Sequence, residues 1–256
     1  MVKKIYFVSD AHFGSLLVKN SHEQERKMVR WLEYICDDAD ELFLLGDIFD
    51  FWFEYKKVVP KGFVRVLGKL SELSDAGVKI HFFTGNHDMW TFGYLEQEIG
   101  LTVHRKPEII ERNGKRFFLA HGDRLGDHSL SVKIIQAIFH NRLCQRLFAL
   151  LPPRLGLGFG FAWSRANRLK PKRNFYSKFL GEDKEILVRF AKNYPDSDHI
   201  DFFVFGHRHI VLDLMLKNNS RICILGDWIT HFSYAVFDGS DFSLEYFEPE
   251  TNPLLV

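Results

Sequence analysis

The chain has 256 residues, 46% of them hydrophobic and 26% charged, with a formal net charge of +1. That length suits one large domain, or a domain with an appended cap, and the composition excludes a disordered or fibrous chain. The near-neutral balance argues against a nucleic-acid partner. Three scattered cysteines without CxxC spacing (Cys36, Cys144, Cys223) argue against a disulfide frame or zinc knot and fit reduced thiols in the cytoplasm.

In chain order, the run Ile5-Tyr6-Phe7-Val8 is too short for a secretory signal core and reads as a first strand, Ile5–Ser9. Met28, Trp31, Leu32 and Ile35 then share one face of a helix, followed by a strand over Leu42–Leu45. Phe63, Val66, Leu67, Leu70 and Leu73 mark a second helix, which Gly77 stops. Further strands fall at Val78–Thr84, Phe117–Ala120, Phe202–Phe205 and Ile222–Leu225, as continuous apolar runs suited to burial on both faces. Tyr234–Phe237 and Phe242–Phe247 flank Asp238-Gly239 as a closing hairpin. Strand and helix alternate, which predicts a layered α/β core, and the 26 Phe residues imply a large aromatic core, an apolar binding surface, or both. The longest apolar stretch, Leu147 to Trp163, is interrupted by Pro152, Pro153 and Arg154 and is no membrane span.

Residues 128–181 differ in character. They hold ten Lys or Arg and no Asp or Glu, which leaves the remainder of the chain with 24 bases against 33 acids, about −9. An amphipathic helix pattern (Leu130, Ile134, Ile135, Ile138, then Leu143, Leu147, Leu150, Leu151) runs to Pro152-Pro153. A Gly-rich apolar turn is expected over Leu155–Trp163, and then a basic stretch with Arg165, Arg168, Lys170, Lys172 and Arg173. We read residues 125–181 as a helical insertion, a cap, within a single domain spanning 1–256.

Five polar clusters each follow a predicted strand: Asp10-Ala11-His12, Gly46-Asp47-Ile48-Phe49-Asp50, Gly85-Asn86-His87-Asp88, His121-Gly122-Asp123 and Gly206-His207-Arg208-His209. Ligands gather at the carboxyl ends of strands in open α/β sheets, so these clusters should meet in one crevice. Carboxylate, imidazole and amide without thiol suit Mn²⁺, Fe or Zn²⁺. Any one cluster is weak, because Asp-x-His and Gly-Asp are common by chance; five in order after five strands leave little room for coincidence. Glycines beside the ligands let the backbone turn and approach closely. Asp50 is placed to orient an imaginable imidazole ligand from behind. His22, His81, His104, His128, His140, His199 and His231 lack this support and read as surface or hydrogen-bonded core residues.

The ordered set resembles the calcineurin-like metallophosphoesterases over most of the chain, from Asp10 to His209. The resemblance implies a β-sandwich flanked by helices with a dinuclear metal site at one edge. It implies Asp10, His12, Asp47 and His209 around one ion and Asp47, Asn86, His121 and His207 around the other, with Asp47 bridging. Two ions ~3.5–4 Å apart activate water and clamp phosphoryl oxygens during in-line attack. His87 would protonate the leaving oxygen or stabilise developing charge, with Asp88 orienting it.

Within that superfamily the chain looks most like the UDP-2,3-diacylglucosamine pyrophosphatases of lipid A biosynthesis. Gly46-Asp47-Ile48-Phe49-Asp50-Phe51-Trp52, the basic insertion after His121-Gly122-Asp123, and Ser164-Arg165-Ala166-Asn167 carry that likeness. It implies hydrolysis of a UDP-linked diacylated sugar to UMP and a lipid sugar phosphate, two Mn²⁺ ions (Fe or Zn²⁺ as alternatives), and peripheral attachment to the anionic cytoplasmic face of the inner membrane. It also makes Arg165, Asn167 and Lys170 the substrate contacts. One departure stands out: those enzymes commonly carry Arg after the ligating Asn, where this chain has His87. The alternatives are a related enzyme for another lipid or nucleotide phosphodiester, and a metal-containing membrane-docking module without catalysis.

Overall fold

The computed structural model describes residues 3–126, 130–169, 178–216 and 219–248. The fold is two packed sheets with helices on the outer faces. Strands β1 (Lys4–Val8), β2 (Ala39–Leu44), β3 (Lys79–Phe83), β4 (Thr102–His104), β10 (Ser233–Phe237) and β11 (Phe242–Tyr246) form one sheet in the order β11-β10-β1-β2-β3-β4. The second, β5-β6-β7-β9-β8, uses β5 (Glu108–Arg112), β6 (Lys115–Ala120), β7 (Phe202–Phe205), β8 (Val211–Met215) and β9 (Arg221–Leu225). β1 through β4 run parallel, as do β6, β7 and β9.

Period-two alternation distributes the apolar runs between layers. In β1, Tyr6 and Val8 face the helices while Ile5 and Phe7 face the other sheet; in β2, Leu42 and Leu44 pair off in the same way against Phe43. Phe117 and Leu119 of β6 meet them, and the Phe7 ring lies 5.2 Å from Phe43 and 5.9 Å from Phe117. Phe118, Ala120, Phe203, Phe205, Ile222 and Ile224 point to the third layer. Every central strand is therefore buried on both faces, which is why each read as a continuous apolar run.

Helix α1 (Ser21–Ile35) starts at Asn20, whose side chain accepts the Glu23 N–H at 3.1 Å, and buries Met28, Trp31, Leu32 and Ile35 on the first sheet. Helix α2 (Val64–Asp75) follows Phe63, which caps it in the left-handed region rather than joining it, and Gly77 at φ +94° ends the turn beyond it. Helix α6 (Ile186–Lys192) covers the outer face of the second sheet with Leu187, Val188 and Ala191.

The insertion departs from expectation in two places. Its first helix is two, α3 (Leu130–His140) and α4 (Arg142–Ala149), because Asn141 caps the second by accepting from Leu143 N and Cys144 N. The expected Gly-rich turn is instead helix α5 (Pro153–Arg168), opened by Pro153 at its first position. Gly160 is spaced for close packing: a Cβ there would fall inside the Phe51 ring. Tertiary approach thus overrides the poor helix propensity of glycine. Strands β4, β5 and β8 escaped the sequence reading because they are short, partly exposed edge or near-edge strands with polar residues between the apolar ones.

Candidate metal and substrate site

The parallel strands β1, β2, β3, β6 and β7 all deliver their carboxyl ends to one edge of the sandwich, and all five polar clusters meet there. Loop backbones are laced together across the strands: Asp10 N donates to Gly46 O (3.0 Å), His12 N to Asp47 O (2.9 Å) and Gly206 N to His121 O (3.0 Å). Asp10, His12, Asp47, His207 and His209 all have positive φ. Non-glycine residues held there cost of order 1–3 kcal/mol each, a strain typical of sites where geometry is imposed by function. Gly85 and Gly206 permit the crowding, since a Cβ at either would collide with the Asp47 or Asp10 carboxylate.

Each central carboxylate spends one oxygen on backbone and turns the other inward. Asp10 Oδ2 accepts from His207 N (2.8 Å), while its Oδ1 lies 3.5 Å from His209 Nε2 and 3.6 Å from His12 Nε2. Asp47 Oδ1 accepts from His87 N (2.8 Å), while its Oδ2 lies 3.3 Å from His121 Nε2 and 3.7 Å from His12 Nε2. Asp10, His12 and His209 form one group with ligand atoms mutually within 4.8 Å, Asp47, His121 and His207 form another, and His12, Asp47 and His87 form a third. Asp10 Oδ1, Asn86 Oδ1 and His121 Nε2 are buried yet make no hydrogen bond. Buried polar atoms without partners are rare, and here they belong to good metal ligands. The donor set therefore fits divalent metal ions.

The imidazoles are oriented from behind. His121 Nδ1 donates to Leu45 O (2.8 Å), which leaves Nε2 toward Asp47. His12 Nδ1 lies 3.6 Å from Asp50 Oδ1. His209 Nδ1 contacts Asp227 Oδ2 (3.3 Å), and Asp227 Oδ1 accepts the N–H groups of Ile229, Thr230 and His231. Burial alone would raise the Asp227 pKa, but hydrogen bonds from His209 and His231 hold it well below the usual carboxylate range. Asp227 was missed in the sequence, although Gly226-Asp227 after an apolar run repeats the Gly46-Asp47 pattern. His231, expected to be a bystander, belongs to this support, 3.3 Å from Asp227.

Burial drives the His207 pKa far down, so it stands as the neutral imidazole a metal requires. Burial opposes protonation of His121 too, but the Asp47 charge outweighs it and raises that pKa. His87 Nδ1 donates to Asp50 O (2.8 Å), leaving Nε2 4.0 Å from Asp47 Oδ2. Asp88, expected to orient His87, does something else. Its two oxygens accept from Gly85 N (2.8 Å), Ile48 N (2.7 Å) and Phe49 N (3.3 Å), tying the second and third clusters together. Burial and the neighbouring Asp47 push its pKa up to about 7.

A cavity of about 530 Å³ opens from this edge. Asn86, His87 and His207 line one part, and Trp90, Ile135, Ile138, Phe139, Phe148, Phe159 and Trp163 line much of the rest. Helix α5 is seated on the metal edge by Ser164, whose Oγ donates to Asp50 Oδ2 at 2.9 Å; Asp50 also faces His12 and His87. Of the expected substrate contacts, Asn167 lines the cavity, Arg165 is exposed outside its lining, and Lys170 lies outside the described residues. His128 lies outside them as well. His81 and His104 bond to each other at 3.0 Å away from the site, and His22 and His199 stand apart from it, as expected. No helix among the described residues is long and apolar enough to cross a membrane.

A sequence model of the calcineurin-like phosphoesterase family matches residues 3–211. A protein named UDP-2,3-diacylglucosamine hydrolase from Porphyromonas gingivalis is 42% identical to this chain over 262 residues, covering 97% of this chain and 99% of that protein. Proteins of the same name are similar at lower identity: 25% in Haemophilus influenzae (91% of this chain, 93% of that protein) and 26% in Neisseria meningitidis (91% and 92%).

Proposed function

The chain belongs to the calcineurin-like phosphoesterase family, a family of metal-dependent hydrolases, and on that premise we propose that it hydrolyses UDP-2,3-diacylglucosamine to UMP and 2,3-diacylglucosamine 1-phosphate. One observation carries the substrate: the cavity beside the metal-ligand set continues without a break into an apolar space between helices of the insertion. A pyrophosphate belongs at one end and acyl chains at the other, and a small soluble phosphate ester would leave most of that lining unused. The similarity to a hydrolase of that name over nearly the whole of both chains supports the same reading.

In this proposal Asp10, His12, Asp47 and His209 hold one ion and Asp47, Asn86, His121 and His207 hold the other, with Mn²⁺ the native metal. Such ions supply an activated water at neutral pH and neutralise the phosphoryl oxygens. The protein's own part is orientation and proton supply. Leu45 O, Asp50 and Asp227 fix the ligand imidazoles, and Asp88 clamps the loops that carry Asp47 and Asn86. His87, anchored through Nδ1, offers Nε2 to the leaving oxygen. Asn167 contacts the sugar. Residues 125–181 act as the substrate cap, and its exposed leucines (Leu150 is 79% exposed, Leu155 61%) rest with the basic side chains on the anionic cytoplasmic face of the inner membrane.

The test is turnover with Mn²⁺ on UDP-2,3-diacylglucosamine, UDP-N-acetylglucosamine and an aryl phosphodiester in parallel. Release of UMP from the acylated substrate at a kcat/KM far above that for the unacylated one is expected. Equal rates on both would remove the lipid from the reading.

A further inference from the structure

A second cavity, about 820 Å³, meets the apolar one at Met89, three residues beyond Asn86, and reaches Thr84 at the end of β3. Its chemistry is different. Arg105, Arg124, Arg142 and Arg146 line it, against Glu54 and Glu96. Glu54 is already engaged, accepting from the Trp52 indole and from the N–H groups of Phe92 and Tyr94. Glu96 lies 3.5 Å from Arg105. Arg142 and Arg146 stand one turn apart on α4, both exposed, and form no ion pair among the described residues. Arg124 lies 3.7 Å from Asp123 and contacts His140, so the cationic excess rests on Arg142 and Arg146.

Two further features identify an occupant. Phe92 lies in the wall, 51% exposed, its ring held edge-on to the buried Phe53 (centroids 5.6 Å, 76°), so a flat apolar face is presented at fixed angle. And the cavity borders the metal edge: a small cleft that shares Arg105 and Arg124 with it is also lined by His121, Gly122 and Asp123. Arginines that meet phosphate as planar forks, an exposed aromatic face and a place beside the phosphoryl-transfer edge are the parts of a nucleotide subsite. The volume lies within the range of pockets for molecules of that size.

We propose that this basic cavity holds the nucleotide half of the substrate, with the pyrimidine stacked on Phe92 and the phosphate facing Arg105, Arg124, Arg142 and Arg146. The inference rests on the pyrophosphatase reading and divides that substrate between two cavities: acyl chains in the apolar one, the uridine phosphate in the basic one, the scissile bond at the metal edge between. Here UMP leaves through the arginine-lined cavity while the lipid product remains among the helices.

Calorimetric titration of the Mn²⁺-loaded protein with UMP tests it, for wild type, Arg142→Ala/Arg146→Ala and Phe92→Ala. Loss of two charged contacts should weaken UMP by about tenfold or more. Phe92→Ala should weaken UMP while leaving inorganic phosphate affinity unchanged, since phosphate has no base to stack. The substituted side chains are surface-exposed, and unchanged melting temperature and metal content would confirm folded protein. UMP affinity within about twofold of wild type in both variants would overturn the assignment. Tight, variant-sensitive UMP binding by an enzyme that fails to cleave UDP-2,3-diacylglucosamine would keep the subsite and remove the lipid reading; cleavage with variant-insensitive UMP binding would do the reverse.

Discussion

The metal edge and the helical insertion are the two walls of one cavity, built by opposite means. At the metal edge Asp10, His12, Asp47 and His121 are at most 3% exposed, held by strained backbone and by carboxylates that accept main-chain N–H groups. The insertion is less enclosed: Leu143 and Leu147 of α4, Leu150 after it, and Leu155 and Phe159 of α5 are each more than half exposed. The insertion touches the sandwich at defined points: Ser164 on Asp50, Gly160 against Phe51, the Trp90 indole on Phe139 O and the Phe148 ring 4.8 Å from Phe53 and Trp90. Chemistry is thus placed where the fold is over-determined. In the proposed function the insertion selects the substrate, so damage to the first wall should appear in kcat and damage to the second in KM.

The comparison is sharpest at Asp47, the carboxylate proposed above to serve both ions. Asp47→Ala should cut turnover by more than the ~10–100-fold typical of an outer partner of a metal ligand, and elemental analysis should show loss of at least one ion per chain. Near-normal activity with two bound ions would dismantle the dinuclear assignment. His87→Ala should lower kcat by about 10²–10⁴-fold while metal content stays at wild-type level, because its proposed role is proton supply. Loss of metal in that variant would instead make His87 a ligand, in the group it forms with His12 and Asp47.

The sandwich should also carry acid sensitivity that the insertion lacks. Burial alone would raise the Glu41 pKa, but a bidentate contact from Arg112 (2.6 and 2.8 Å) and His81 outweigh it and bring it down to about 2. A carboxylate depressed from its ordinary 4.5 contributes stability that is complete above pH ~4.5 and is lost as pH falls toward 2, about 3 kcal/mol in all. Denaturant midpoints of wild type and Glu41→Gln should therefore differ fully above pH ~5 and converge as pH drops toward 2. A gap that does not shrink would remove the ion pair as its cause.

Smaller effects test the supports. Asp227→Asn removes the negative charge behind His209 and should weaken metal binding by about 10–100-fold, read by competition with a chelator. Gly160→Ala forces α5 away from Phe51 and should raise KM for the acylated substrate several-fold more than KM for an aryl phosphodiester. Equal changes on both would mean that α5 supports the metal edge more than it shapes the apolar cavity.

The amino-acid order alone determined the layered α/β class, the central strands and the seven candidate metal ligands. The reason is local: buried parallel strands must be continuously apolar, and ligands at their ends sit beside glycines in short fixed patterns. What the sequence left unread depends on contacts between distant segments. Glycines in α5 look like a turn until the Phe51 ring, over a hundred positions earlier, fills the space they leave. Asp88 looks like a partner for its neighbour His87 until the backbone N–H groups of Ile48 and Phe49 arrive to claim it. Asp227 becomes a support only when β9 is laid beside β7, bringing it to His209. In each case local propensity and spacing describe one segment at a time, whereas hydrogen-bond satisfaction and close packing are properties of the segments that meet.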